Sequence, residues 1–153
     1  MPNNEIQLNQ HIKATPAAVW AVLTDLDSAA TTLTGVLSLE RVSGEGYAVG
    51  TRWRETRKMM GKEATEEMWV AEVEPERRTV VKANSRGADY TTCFTLTPSG
   101  DGTDLSMIFG AESDTSSVLA KLLMKVFSGI ATKATEKMMA QDLRDIAAAA
   151  EAR

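Results

Sequence analysis

The chain has 153 residues, of which 43% are hydrophobic and 25% charged, with a formal net charge of −4 and a pI of about 5.1. That length suits one domain, spanning residues 1–153, able to bury a core without disulfides or metal. The acidic balance excludes an overall nucleic-acid footprint, and the one cysteine, Cys93, excludes an internal disulfide.

A single histidine, His11, rules out a His-rich zinc centre and any relay needing two histidines. No metal and no cofactor are expected. MPNNEIQLNQ lacks the basic-then-apolar pattern of a signal peptide, and no stretch reaches the length of apolar residues that a membrane span needs. The expected location is cytoplasmic. The glycines of SGEGYAVG, residues 43–50, lack the strand–turn–helix setting of a phosphate loop and read as loop and hairpin residues.

In chain order, EIQLNQHI (5–12) alternates apolar and polar and predicts a first strand, with His11 near its end. Thr15 caps a helix that opens on Pro16 and runs through AAVWAVLTDL, with Val19, Trp20, Leu23 and Leu26 on its apolar face. Asp27 and Ser28 are expected to cap a second short helix ending near Thr32, before Gly35. Strand patterns then follow at 36–42, 51–59, 63–74, 78–84, 90–98 and 103–112, separated by Gly61, Pro75, Gly87 and SGDG. Short connections between them predict an antiparallel meander. A long terminal helix, capped by Asp114 or Ser116, closes the chain. Leu119, Leu122, Leu123, Val126, Phe127, Ile130, Ala134 and Met138 form its apolar stripe, and Gly129 is a point of bending. The tail IAAAAEAR is helix-prone but weakly apolar and is expected to offer little adhesive surface.

The strand TRWRETRKM holds the most informative pattern. Arg52, Arg54, Thr56 and Lys58 cannot face a core, so Thr51, Trp53, Glu55, Arg57 and Met59 must. Glu55 and Arg57 thus point inward, a pair that a dry core seldom keeps for stability alone. Flanked by Trp53 and Met59, they read as the polar feature of a cavity; the plainer alternative is an ion pair at the open edge of the sheet. On the next strand, Glu66 shares a face with Met68 and Val70 if alternation holds. Glu67 and Trp69 allow the opposite assignment, and a bulge would reconcile the two.

This order of elements, with ATPAAVWAVLTD, GYAVGTRWRETR, GKEATEEMWVAEVEPERR and GTDLSMIF as its carriers, resembles the START-like (SRPBCC) superfamily. That superfamily takes in polyketide cyclase/dehydrase-like proteins, the birch-pollen allergen and lipid-transfer START domains. The resemblance implies an α+β helix-grip fold: a curved antiparallel sheet of about seven strands around the long terminal helix, with two short helices after the first strand. It also implies a cavity for hydrophobic ligands between sheet and helix. Trp69 departs from the pattern, which leads one to expect a smaller or charged residue there.

The residues expected to line such a cavity are Trp20, Trp53, Glu55, Arg57, Glu66, Met68, Tyr90, Thr92, Phe94, Met107, Phe109, Leu123, Phe127 and Met138. Any one of the apolar members could simply fill a core. The set argues otherwise: eight large aromatics are few for the concave side of a curved sheet, and eight methionines suit adaptable apolar surfaces. Three functions stay open. The leading one is a carrier or sensor of a small hydrophobic molecule, lipid or polyketide-like. The second is a cyclase or dehydratase with Glu55 as base and Arg57 as stabiliser. The third is a protein-interaction module, monomeric or homodimeric.

Overall fold

The computed structural model describes residues 5–59, 61–85, 88–113 and 130–153. Strand β1 (Glu5–Ile12) leads into helix α1 (Pro16–Leu23), a 3₁₀ turn (Leu26–Ser28) and helix α2 (Ala29–Thr32). Six strands follow: β2 (Val36–Ser43), β3 (Arg52–Met59), β4 (Lys62–Glu74), β5 (Arg78–Ser85), β6 (Ala88–Ser99) and β7 (Gly102–Ser113). Helix α3 is described from Ile130 to Glu151.

The seven strands form one curved antiparallel sheet in the order β1-β7-β6-β5-β4-β3-β2. Sequential strands pair as a meander, and β1 returns to pair with β7, which leaves β1 and β2 at the edges. The two short helices carry the chain from one edge to the other and close one end of the sheet. This is the helix-grip arrangement, with α3 held against the concave face.

Local chemistry explains the first turns. Thr15 has extended backbone angles, and its Oγ1 accepts from the Ala18 N–H at 3.1 Å, with Pro16 preset for the first helical position. The second helix starts from Ser28, as expected, but with no side-chain cap bond. Asp25 caps the 3₁₀ turn before it: its Oδ1 accepts from the Ser28 N–H at 3.2 Å, and the α1 helix stops at Leu23. Asp27 already lies inside the 3₁₀ turn, so its carboxylate sits in the wrong place to cap it.

Gly102 fixes the other end of β1. A Cβ there would run into the carbonyl of Ile12, so only glycine lets β1 and the start of β7 approach this closely. The Thr103 hydroxyl, fully buried, donates to the Ala14 carbonyl at 2.8 Å and ties the same corner.

Two apolar clusters divide the interior. One joins β1, α1, β6, β7 and α3 through Ile12, Val19, Leu105, Met139, Leu143 and Ile146. The tail is part of it: Ile146, Ala147 and Ala150 are buried. Alanines offer little area each, but their small size lets the helix backbone lie close to its neighbours. Glu151 adds a polar tie, accepting from the Lys13 N–H at 2.9 Å. The other cluster gathers Leu26, Trp53, Val70 and Val81, with Leu39, Tyr47, Met68 and Val73 packed against it.

The helix start at Asp114 or Ser116, the bend at Gly129, the stripe residues Leu119 to Phe127 and the turn glycine Gly87 fall outside the described residues, as do the side chains of Met59 and Ile130.

Candidate ligand cavity

Between the concave face of the sheet, the α1–α2 segment and α3 lies a cavity of about 260 Å³. Its walls follow from strand alternation. Just before β3 Thr51 is buried; on β3 Trp53 is buried and Glu55 and Arg57 nearly so, while Arg54 and Lys58 are exposed. On β4, Glu66 and Met68 turn to the cavity and Val70 is buried beneath them. Glu67 and Trp69 lie on the outer face. Glu67 pairs there with Arg52 at 3.3 Å, and the Arg52 guanidinium sits 4.7 Å from the centre of the Trp69 ring. That cation–π contact explains how a tryptophan is accommodated on a solvent-facing surface. Alternation is unbroken from Glu66 to Val70, and the bulge in β4 comes just after it, between Val70 and Glu72.

Eleven of the fourteen residues singled out from the sequence line this cavity: Trp53, Glu55, Arg57, Glu66, Met68, Tyr90, Thr92, Phe94, Met107, Phe109 and Met138. Trp20 does not. Its ring packs edge-on against Tyr47, with centroids 6.3 Å apart, and adjoins the apolar core. Helical spacing identified its buried face but could not tell which of two interior compartments that face would meet. Leu123 and Phe127 lie outside the described residues.

The sequence reading missed Asp142, the residue that completes the polar wall. Arg57 Nε donates to Glu55 Oε2 at 2.7 Å, while Nη1 and Nη2 donate to the two oxygens of Asp142 at 3.0 and 2.8 Å. Glu55 and Arg57 therefore meet directly, and a second carboxylate from α3 grips the guanidinium as a bidentate fork. All three side chains are largely withdrawn from water, at 12%, 15% and 6% exposure for Glu55, Arg57 and Asp142. Burial works against the Arg57 charge, but Glu55 and Asp142 outweigh it and hold the guanidinium above its ordinary pKa. Burial likewise pushes the Asp142 carboxyl up, against the pull of Arg57.

The chain around the triad is built to hold it. A Cβ on Gly35 would come within 3.1 Å of Arg57 Nη1, so glycine leaves room for the guanidinium between the α2–β2 turn and α3. One turn of helix further on, Asp145 Oδ2 accepts from both the N–H and the hydroxyl of Thr34, at 2.9 and 3.0 Å. The helix that carries Asp142 is thus pinned to the turn that carries Gly35.

Two further polar groups belong to residues that line the cavity. Glu66 stands directly across from Glu55 in the β3–β4 register. Burial pushes its carboxyl up, Glu55 adds to this, and Arg57 only partly opposes it. The Trp53 indole Nε1, in a side chain 4% exposed, has no hydrogen-bond partner among the described residues. Tyr47, by contrast, is fully engaged. The Thr79 hydroxyl donates to the Glu72 carbonyl at 2.9 Å, so the Tyr47 hydroxyl must be the donor in its 2.8 Å contact with Thr79. Burial raises the Tyr47 pKa to about 12, which keeps it protonated. On the far wall, Tyr90 and Phe109 stack with centroids 5.7 Å apart.

Among the described residues no cluster of His, Cys, Asp and Glu could hold a metal ion, and no helix is long and apolar enough to cross a membrane. His11 stays outside the cavity. It is exposed at the β1–β7 edge, with Nδ1 2.6 Å from Asp104 and Nε2 2.8 Å from Asp101. Those two carboxylates hold its pKa above the ordinary histidine value.

A curved sheet gripping a helix over an apolar cavity with a charged wall defines a class of small-molecule-binding folds. The chain belongs to the family described as polyketide cyclase / dehydrase and lipid transport, whose model matches residues 4–151. No curated protein matches the sequence. Solved structures give the same fold. TTHA0849 from Thermus thermophilus is 24% identical, with 97% of each chain covered and a TM-score of 0.76. The di-domain ARO/CYC StfQ of the steffimycin biosynthetic pathway is 14% identical, with a TM-score of 0.76, over 97% of this chain and 51% of StfQ. Ara h 8.0201 is 10% identical, with a TM-score of 0.72, over 97% of this chain and 98% of its own.

Proposed function

We propose that the chain acts, as a single domain, by binding a small hydrophobic molecule, lipid or polyketide-like, in the cavity between the sheet and α3. One observation carries this reading: the space is walled mainly by apolar and aromatic side chains yet keeps a few convergent polar groups along one side. That combination is typical of ligand sites, where apolar area supplies affinity and a few polar atoms fix orientation. A core built for stability alone would have filled the space. Glu55, Arg57, Glu66, Trp53, Tyr90 and Thr92 are the residues assigned to contact the ligand. A carrier or sensor needs nothing more.

Organic extraction of freshly purified protein followed by mass spectrometry tests the reading, together with uptake of the neutral polarity-sensitive dye Nile red. A bound small molecule, or saturable dye uptake that Met138→Trp blocks by filling the space, is the expected result. Protein that carries nothing and takes up no dye in its native state would overturn it.

A cyclase or dehydratase on a poly-β-keto substrate is the second reading, favoured by the two facing carboxyls Glu55 and Glu66. Proton removal beside a carbonyl needs one ionised carboxylate, and proton return needs an acid, roles that a coupled pair can divide. Here Glu55 is the candidate base. Arg57 holds it in place, because the guanidinium charge is already matched by two carboxylates and is weakly available to an enolate. Turnover of a model poly-ketide that disappears in Glu55→Gln would favour this reading over the carrier.

A further inference from the structure

We propose that the cavity selects molecules whose buried polar end is a neutral hydroxyl, and that it turns away the carboxylate of the same skeleton. This inference rests on the ligand-binding reading above and specifies the head group that such a ligand carries.

Charge makes the first half of the argument. Among the described residues the cavity is lined by one cation, Arg57, and by four carboxylates, Asp25, Glu55, Glu66 and Asp142. A lone arginine in an apolar pocket would attract a carboxylate. This one is already held by two, and three of its five N–H donors are committed to Glu55 and Asp142. An incoming anion would meet excess negative charge in a partly desolvated space, where like charges repel far more strongly than in water.

The unmatched hydrogen-bonding groups make the second half. Glu66 faces Glu55 directly across two paired strands, an arrangement that works against sheet stability. Glu66 forms no hydrogen bond to another described residue, so a ligand donor placed beside it would be welcome. Trp53 Nε1, buried and without a hydrogen-bond partner among the described residues, calls for the opposite, an acceptor. A carboxylate can serve the indole but is repelled by the carboxylates. A hydroxyl both donates and accepts and carries no charge, so it can serve either group without that repulsion.

The test uses three probes on one two-ring skeleton, naphthalene, 2-naphthol and 2-naphthoate, titrated by calorimetry into the full chain at pH 7. Naphthol is expected to bind tightest, by about tenfold or more over naphthoate. Naphthoate binding as tightly as naphthol would overturn the proposal. Naphthalene binding as tightly as naphthol would overturn it too, while leaving the hydrophobic-cavity reading standing. If none of the three binds although Nile red is taken up, the proposal fails and the ligand-binding reading stands.

Two variants examine the cause. Glu66→Gln leaves the Arg57 contacts in place and should narrow the naphthol–naphthoate gap several-fold. Trp53→Phe should weaken naphthol relative to naphthalene. An unchanged gap in Glu66→Gln, or an unchanged naphthol–naphthalene ratio in Trp53→Phe, would refute the corresponding contact.

Discussion

The two halves of the interior are built on opposite principles. Along one stripe of α3, Met139, Leu143 and Ile146 join Ile12, Val19 and Leu105 to fill the space between helix and sheet with apolar volume. Along the neighbouring stripe the same helix presents Thr135, Met138 and Asp142 to a space that the described side chains leave open, with Ile146 touching both. One helix and one concave sheet thus serve a packed core and a cavity side by side. Asp142 and Leu143, adjacent in sequence, stand at the boundary. The packed half supplies the stability that lets the other half keep unfilled volume and buried charge.

The sharpest way to break that comparison is Arg57→Met. It leaves Glu55 and Asp142 as two withdrawn carboxylates with no counter-charge, and removing one partner of a buried pair costs about 3–5 kcal/mol. Urea unfolding should show the full loss. Adding Asp142→Leu to Arg57→Met should recover part of it, because the methionine and leucine can pack and only Glu55 remains orphaned. If the two changes simply add, with no recovery, the bidentate contact contributes nothing as a pair.

Next in size is Leu143→Ala, one residue along the helix and 2% exposed. The expected loss is about 2–5 kcal/mol, a cavity in a packed core. Its effect on ligand selectivity should be nil, in contrast with Arg57→Met. A Leu143→Ala protein with wild-type stability but altered ligand uptake would show that the boundary between the two halves has been drawn in the wrong place.

That boundary was only half visible in the sequence. Period-two alternation identified the inner faces of β3, β6 and β7, since a strand offers its side chains just two directions. It therefore found Glu55 and Arg57, and with Met68 and Val70 it indicated Glu66. Asp142 escaped because its partner lies 85 positions away and no local pattern joins them. A signal existed: extending the three- and four-residue stripe from Met138 and Met139 meets Asp142 before Ile146, a carboxylate where an apolar residue is due. Trp20 was misplaced for the converse reason. Helical spacing shows that a face is buried without showing against what, and Tyr47, from the loop before β3, took the position beside it.

The smallest expected effect sharpens the comparison from the cavity side. Glu66 has its folded pKa raised above 4.5, by burial first and by Glu55 second. A raised carboxyl favours the proton-bound folded state, so its contribution is fully present below the unfolded value and is lost as pH rises through the folded one. Above the unfolded value Glu66 therefore works against the fold. Glu66→Gln should make the protein modestly more stable at pH 7, against the usual trend for substitutions. It should also flatten the decline in stability that begins near pH 4.5. His11 provides the outside control. Its raised pKa sets a similar decline that starts at 6.5, and His11→Gln should flatten only that upper step. Thermal melts of wild type and both variants between pH 4 and 9 separate the two. A Glu66→Gln protein less stable than wild type at pH 7 would mean that the carboxylate is solvated or paired there, and that the cavity does not hold Glu55 and Glu66 in conflict.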